Sequence, residues 1–261
     1  MYSPETYREL ITLFRQEGYR FAGIADTVDE TGGKIAHLRH DIDYSPTWAA
    51  DFARIDAELG VRAMFCFQLR SPLYNLASRQ CRAAVDAVLA SGHDIGLHFT
   101  IVDLAGASEA ELARAIGEDL AAARALVPAI SPVFSWHNPS LLPGLVERLL
   151  DFDAPGLINL YGRRWVRDTR YFSDSNWRYT IAEWQKIARA RHDRVQLLFH
   201  PFQWMAGGRD MQDVVARTYA QLISEAEAEF STNHVYRQMH PRGLAPEARE
   251  TIRQLVLRDP P

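Results

Sequence analysis

Short apolar runs alternate along this chain with helical stretches, and one run after another stops on a histidine or an acid. Strand-like segments fall at Ile35 to Leu38, Ala63 to Gln68, Asp94 to Phe99, Val133 to Trp136, Leu157 to Leu160 and Val195 to Phe199. Between them, apolar residues recurring every three to four positions predict helices from Ser45-Pro46 to Gly60, near Arg79 to Ala90, from Ser108 onward, near Leu142 to Leu150, near Ile181 to Ala190 and near Met211 to Glu229. Strands separated by helices pair in parallel, so about seven of them build either a barrel or a doubly wound sheet. At 261 residues the whole chain, 1–261, fits one α/β domain with no need of a second. Met1 to Phe21 reads as an amphipathic helix, capped by Ser3, opened by Pro4 and ended by Gly18; Tyr7, Leu10, Ile11 and Phe14 make a stripe that packs residues 1–20 on the body.

Composition removes several function classes. The net charge is -4 and no stripe of Lys and Arg tracks a phosphate backbone, which argues against nucleic acid as a partner. Nowhere do some 18 uncharged apolar residues follow one another, so no membrane span is expected. Arg8, Glu9, Arg15, Gln16 and Glu17 interrupt any export-signal core at the start, and two cysteines, Cys66 and Cys81, are too few for a disulfide framework. A cytoplasmic location is the expectation. The stretch Tyr161 to Tyr179 lacks a clean period and is rich in Arg and aromatic residues, which reads as a long functional loop at the rim of a pocket.

Strand ends on one face of a βα-repeating fold converge. Asp41, Asp43, His98, His137 and His200, scattered over 160 positions, can therefore share one pocket. Asp41 and Asp43 lie two apart and share a strand face if the strand stays regular. An Asp near a helix start can also merely cap it, although Ser45 competes for that place. His93 stands at the start of its strand and reads as structural. Carboxylate mixed with imidazole suits a divalent metal that keeps a position open for water. One carboxylate can then hold the ion while the other takes a proton.

Four segments resemble the metal-dependent polysaccharide deacetylases, carbohydrate esterase family 4: Leu38-Arg39-His40-Asp41-Ile42-Asp43, Gly60-Val61-Arg62-Ala63-Met64-Phe65-Cys66-Phe67, Gly92-His93-Asp94-Ile95-Gly96-Leu97-His98 and Leu198-Phe199-His200-Pro201. The resemblance spans residues 38–201 and implies a distorted (β/α)7 barrel in a single domain. It further implies Asp41 as catalytic base, Asp43 and His98 as metal ligands, and His200 as the acid that protonates the departing amine. The family usually carries a second His four residues after the first, where this chain has Val102; His137 is the candidate for the third ligand. An Arg-containing loop of the family is replaced by Trp136-His137-Asn138-Pro139, which leaves Arg39 as the candidate to orient Asp41. Asp174, Asn176 and Trp177 resemble the family's rim motif and are read as substrate-binding, with Tyr74 and Trp204 as weaker candidates. Zinc is the first expectation for the ion, with cobalt, nickel, manganese or iron as alternatives.

The activity so implied is hydrolysis of a linear amide: N-deacetylation of an amino sugar, or of its nucleotide- or lipid-linked precursor, in surface-polysaccharide (O-antigen) biosynthesis. Two other readings stand beside it. One is another C–N hydrolase on the same barrel, deformylase or allantoinase-like; the other is a sugar-binding barrel without catalysis.

Overall fold

The computed structural model describes residues 1–24, 26, 33–101, 104, 106–139, 145–190, 192–243 and 245–256. In chain order the elements are α1 (Pro4–Gln16), β1 (Tyr19–Phe21), β2 (Lys34–Ile42), α2 (Pro46–Glu58), β3 (Ala63–Phe67), α3 (Arg79–Ala90), β4 (Asp94–Thr100), α4 (Glu109–Leu126) and β5 (Ile130–His137). They continue with α5 (Leu145–Asp151), β6 (Ile158–Asn159), β7 (Arg170–Ser173), α6 (Ile181–Arg189), β8 (Arg194–Phe199), α7 (Pro201–Met205), α8 (Met211–Phe230), α9 (His234–Met239) and α10 (Ala245–Val256). Seven parallel strands run in the order β6-β5-β4-β3-β2-β8-β7, with β1 beside the first residues of β2. The sheet curls into a half-barrel with helices around it, the distorted (β/α)7 arrangement of a single α/β domain.

Side chains alternate across each strand, and here the two faces have different jobs. Outward residues such as Leu38, Phe65, Leu97, Phe134, Leu197 and Phe199 pack beneath the helices in the main apolar core. A separate small cluster, Ile24, Met64, Cys66, Val133, Leu160 and Trp165, is also fully buried. Cys66 pairs in register with Asp41 and with Gly96, so these three share the inner face with the chemistry-bearing residues. A Cβ on Gly96 would sit 3.1 Å from Cys66 Sγ, Met64 Sδ and the Val133 carbonyl oxygen, which is why this position carries no side chain. Among the described residues the end strands β6 and β7 share no ladder. Side chains span that gap: the Tyr161 and Tyr171 rings lie 5.9 Å apart, and Gln196 Nε2 donates to the carbonyls of Leu160 and Trp165.

α1 is held by a Ser3–Thr6 capping box and buries Tyr7, Leu10, Ile11 and Phe14. The helix stops at Gln16, ended as expected at Gly18, which takes a positive φ of 89°, and Tyr19–Phe21 then form β1 instead of more helix. The stretch Tyr161 to Tyr179, expected as one long loop, holds a π-helical turn at Arg164–Asp168 and the strand β7. Four residues paired on one side only, with an exposed Arg170, carry too little apolar pattern to announce a strand. The helix expected from Leu142 begins at Leu145 among the described residues. α7, α9 and α10 add turns that no apolar stripe announced. No helix among the described residues is long and apolar enough to cross a membrane.

Candidate active site

Period-two geometry on β2 puts Arg39 and Asp41 on the inner face, and Asp43 follows just past the strand. Arg39 and Asp41 are both fully buried, and the guanidinium grips the carboxylate with two bonds, Nε to Oδ1 at 2.9 Å and Nη2 to Oδ2 at 2.5 Å. The strand therefore stays regular enough for Arg39 to reach Asp41. Arg39 also lies over the Tyr161 ring, 4.8 Å from its centroid. Burial pushes the Asp41 carboxyl up, but the charges of Arg39, then His98, and the bonds from Arg39 outweigh it and hold its pKa at about 2. Asp41 is thus a carboxylate throughout the neutral range, and Ser135 Oγ donates to its Oδ1 at 3.1 Å.

Asp43 Oδ1 lies 3.2 Å from His98 Nε2 and 3.0 Å from His137 Nδ1, and the two nitrogens are 3.0 Å from each other. The β4–β5 register produces this meeting: His98 pairs with Ser135 and Thr100 with His137, so the two imidazoles leave adjacent strands two register steps apart and on the same face. Burial raises the Asp43 pKa, but its close contacts with His137 and His98 and the nearby His200 hold it well below the usual carboxylate range. One anionic oxygen and two imidazole nitrogens, all within 4.8 Å of one another, make a donor set that fits a divalent cation. Asp43, His98 and His137 are the residues that would hold it.

His200 follows β8 directly and is the residue before Pro201, the first of α7. Its Nδ1 is 2.5 Å from Asp174 Oδ1, its backbone N–H donates to Asp174 Oδ2 at 2.9 Å, and Trp204 Nε1 donates to the same oxygen at 2.8 Å. The other ring nitrogen, Nε2, faces Asp43 Oδ2 at 3.8 Å. Burial lowers the His200 pKa, yet the Asp174 charge and bond, followed by Asp43 and Asp41, raise it to about 9. The ring is cationic at neutral pH.

Asp41, Asp43, His98, His137 and His200 line one cavity of ≈ 340 Å³, with Asn176, Tyr161 and Tyr171 at its wall. Other residues read from the sequence as substrate-binding stand elsewhere. Asp174 is fully buried and spends its oxygens on His200 and Trp204, so it holds that imidazole and is absent from the cavity lining. Trp204 is fully buried too, stacked on Tyr2 with ring centroids 4.2 Å apart. Trp177 packs against Tyr2 at 5.1 Å, outside the cavity lining. Tyr74 gives its hydroxyl to the Ile42 carbonyl and accepts from the Gln68 N–H, and it borders a different hollow beside α3 and α8. His40 points outward to Asp56 at 2.8 Å, and His93 donates or accepts only to backbone. Val102 lies outside the described residues. Ser135, Tyr161 and Tyr171 were missed: a lone Ser or Tyr carries no chemical signal, although counting back two from His137 puts Ser135 on the inner face.

No family model matches the chain, and no curated protein matches it in sequence. Solved structures similar to it include a chitin deacetylase from the fungal pathogen Colletotrichum lindemuthianum, at 16% identity and TM-score 0.48, covering 76% of this chain and 86% of that one. A Streptococcus mutans CE4 esterase is similar at 14% identity and TM-score 0.45, over 87% of this chain and 88% of that one. A family 4 carbohydrate esterase from Streptomyces lividans, in complex with acetate, is similar at 17% identity and TM-score 0.42, over 75% of this chain and 90% of that one. Chemistry for this chain has to be read from its own side chains.

Proposed function

We propose that this chain is a divalent-metal-dependent hydrolase that removes the acetyl group from the nitrogen of an amino sugar, with residues 1–261 acting as one catalytic domain. The observation that carries the reading is a buried carboxylate, Asp41, and an imidazole held by a carboxylate, His200, on one cavity that also holds a three-donor cation set. When bound, a divalent ion supplies Lewis acidity, polarising the acyl carbonyl and acidifying a water. Asp41 takes the proton from the attacking water, since it is ionised and Arg39 fixes its direction through Nε and Nη2. His200 is charged and gives its Nε2 proton to the departing amine nitrogen, which cannot leave as an anion. Asp174 holds the imidazole from behind.

A cavity of ≈ 340 Å³ lies at the small end of ligand pockets and suits one sugar ring better than a long groove for polymer. That favours a soluble or lipid-linked precursor, such as a nucleotide-linked N-acetyl sugar used in O-antigen-type surface-polysaccharide synthesis. Two free buried thiols, Cys66 and Cys81, support a reducing, cytoplasmic setting, and zinc is the ion we expect. Purified protein loaded with zinc is expected to release acetate from at least one member of a panel of nucleotide-linked N-acetyl amino sugars. Tight zinc binding with no acetate from any of them would overturn the reading.

The acid assignment has its own pH signature. His200 must be protonated to act, so turnover is expected to fall on the alkaline side as this ring, whose pKa Asp174 raises, loses its proton. In Asp174→Asn the largest raising influence disappears while burial still lowers the value. The alkaline limb should then move toward or below the ordinary histidine value of 6.5. A pH–rate profile whose alkaline limb is unmoved in this variant would remove His200 from the acid role.

A further inference from the structure

Asp41 stands on β2 and Ser135 on β5, three strand steps apart, which a flat sheet would separate by about 14 Å. The curl of the half-barrel closes that distance to 3.1 Å between Ser135 Oγ and Asp41 Oδ1. The residues in between are small: Cys66 and Gly96 hold the matching inward positions on β3 and β4. On its other side the same Ser135 oxygen lies 2.7 Å from His98 Nδ1. The serine is fully buried, so no solvent competes for these two bonds.

Proton bookkeeping gives the pair a direction. The Asp41 carboxylate can only accept, so the single hydroxyl proton of Ser135 goes to Oδ1. The serine oxygen then has lone pairs left, and His98 must supply the proton of the second bond from Nδ1. A neutral His98 so bonded keeps its Nε2 lone pair bare, and Nε2 is the atom that faces Asp43 Oδ1 at 3.2 Å and His137 Nδ1 at 3.0 Å. Without the hydroxyl, the acceptor left for Nδ1–H is Asp41 Oδ2 at 3.5 Å, while Asp43 Oδ1 lies nearer to Nε2 at 3.2 Å and draws the proton there, where it closes the cation position.

We propose that Ser135 is a positioning residue: its hydroxyl locks His98 in the Nδ1–H form and ties the cation site to the carboxylate of Asp41 in one hydrogen-bonded unit. The catalytic part of this assignment rests on the hydrolase reading above; the tautomer and affinity parts do not. Partners that orient a ligating histidine typically contribute about 10–100-fold to metal affinity, and Ser135 should fall in that range.

The test uses Ser135→Ala, with Ser135→Thr as the variant that restores a hydroxyl. In the metal-free protein, imidazole nitrogen chemical shifts should report the Nδ1–H form of His98 in the wild type and in Ser135→Thr. Ser135→Ala should show a mixture with the Nε2–H form. Titration of the metal-free proteins with zinc alone should show the Ala variant binding about 10–100-fold more weakly and the Thr variant close to wild type. Acetate release at saturating zinc should fall in kcat, with KM little changed, for Ser135→Ala only. An unchanged His98 tautomer together with wild-type zinc affinity in Ser135→Ala would overturn the proposal. A wild-type protein that binds zinc but never releases acetate would instead sink the hydrolase reading, and the tautomer comparison would still decide the role of Ser135.

Discussion

Asp41→Asn is expected to lower turnover by about 10²–10⁴-fold, the usual contribution of a positioned general base, while zinc uptake stays near wild type. The reason is a division of labour between two carboxylates two residues apart. Asp43 faces the imidazoles, whereas Asp41 sits below them with both oxygens bonded to Arg39 and one to Ser135. An amide in its place cannot accept a proton from water, but it leaves Asp43, His98 and His137 where they are. The substitution has a stability consequence as well, because Arg39 is fully buried and loses its anionic partner. Removing one member of a buried pair costs up to about 3–5 kcal/mol, although the Asn oxygen and the Tyr161 ring still face the guanidinium. Turnover is therefore scored per folded molecule, with circular dichroism on the same sample and bound zinc measured by elemental analysis. Loss of zinc in step with turnover would place Asp41 in the cation set and end its assignment as the base.

Much of this was legible in the sequence because a strand has a period of two and a strand end has a fixed face. Asp41, Asp43, His98, His137 and His200 each follow an apolar run, and once the runs are parallel strands their exits have to converge. What escaped reading was whatever depends on the third dimension alone. β7 is four residues long and begins on an arginine, so only its pairing with β8 reveals it. Asp174 and Trp177 read as a rim through their resemblance to the family's motif, and a resemblance of residue types does not carry burial. The structure buries Asp174 under three bonds to His200 and Trp204, turning an expected sugar contact into a support for the His200 imidazole. Trp204, a weaker candidate of the same kind, is buried as well, because an aromatic in a polar stretch can equally face the core. Arg39 was half legible, since its place two before Asp41 gives the shared face but not the bidentate bond.

His137→Ala should weaken zinc binding by more than about 100-fold, beyond the 10–100-fold that follows from losing a mere supporting partner of a ligand. Its Nδ1 is one of three donor atoms within 4.8 Å, and the two that remain, from Asp43 and His98, leave a divalent ion with more positions open to water than a catalytic site normally has. The side chain sits partly exposed at the cavity mouth, 20% accessible, so its removal opens space that water fills and little packing is lost. Thermal unfolding of the metal-free variant should accordingly stay close to wild type, which separates loss of a ligand from loss of the fold. Competition against a chelator of known affinity measures the change directly, and raising zinc concentration should recover part of the missing turnover. That recovery is what distinguishes this variant from Asp41→Asn, where no amount of zinc replaces the proton acceptor. Wild-type affinity and turnover in His137→Ala would mean that the third donor is another residue, and the position four after His98, Val102, offers no side chain able to serve.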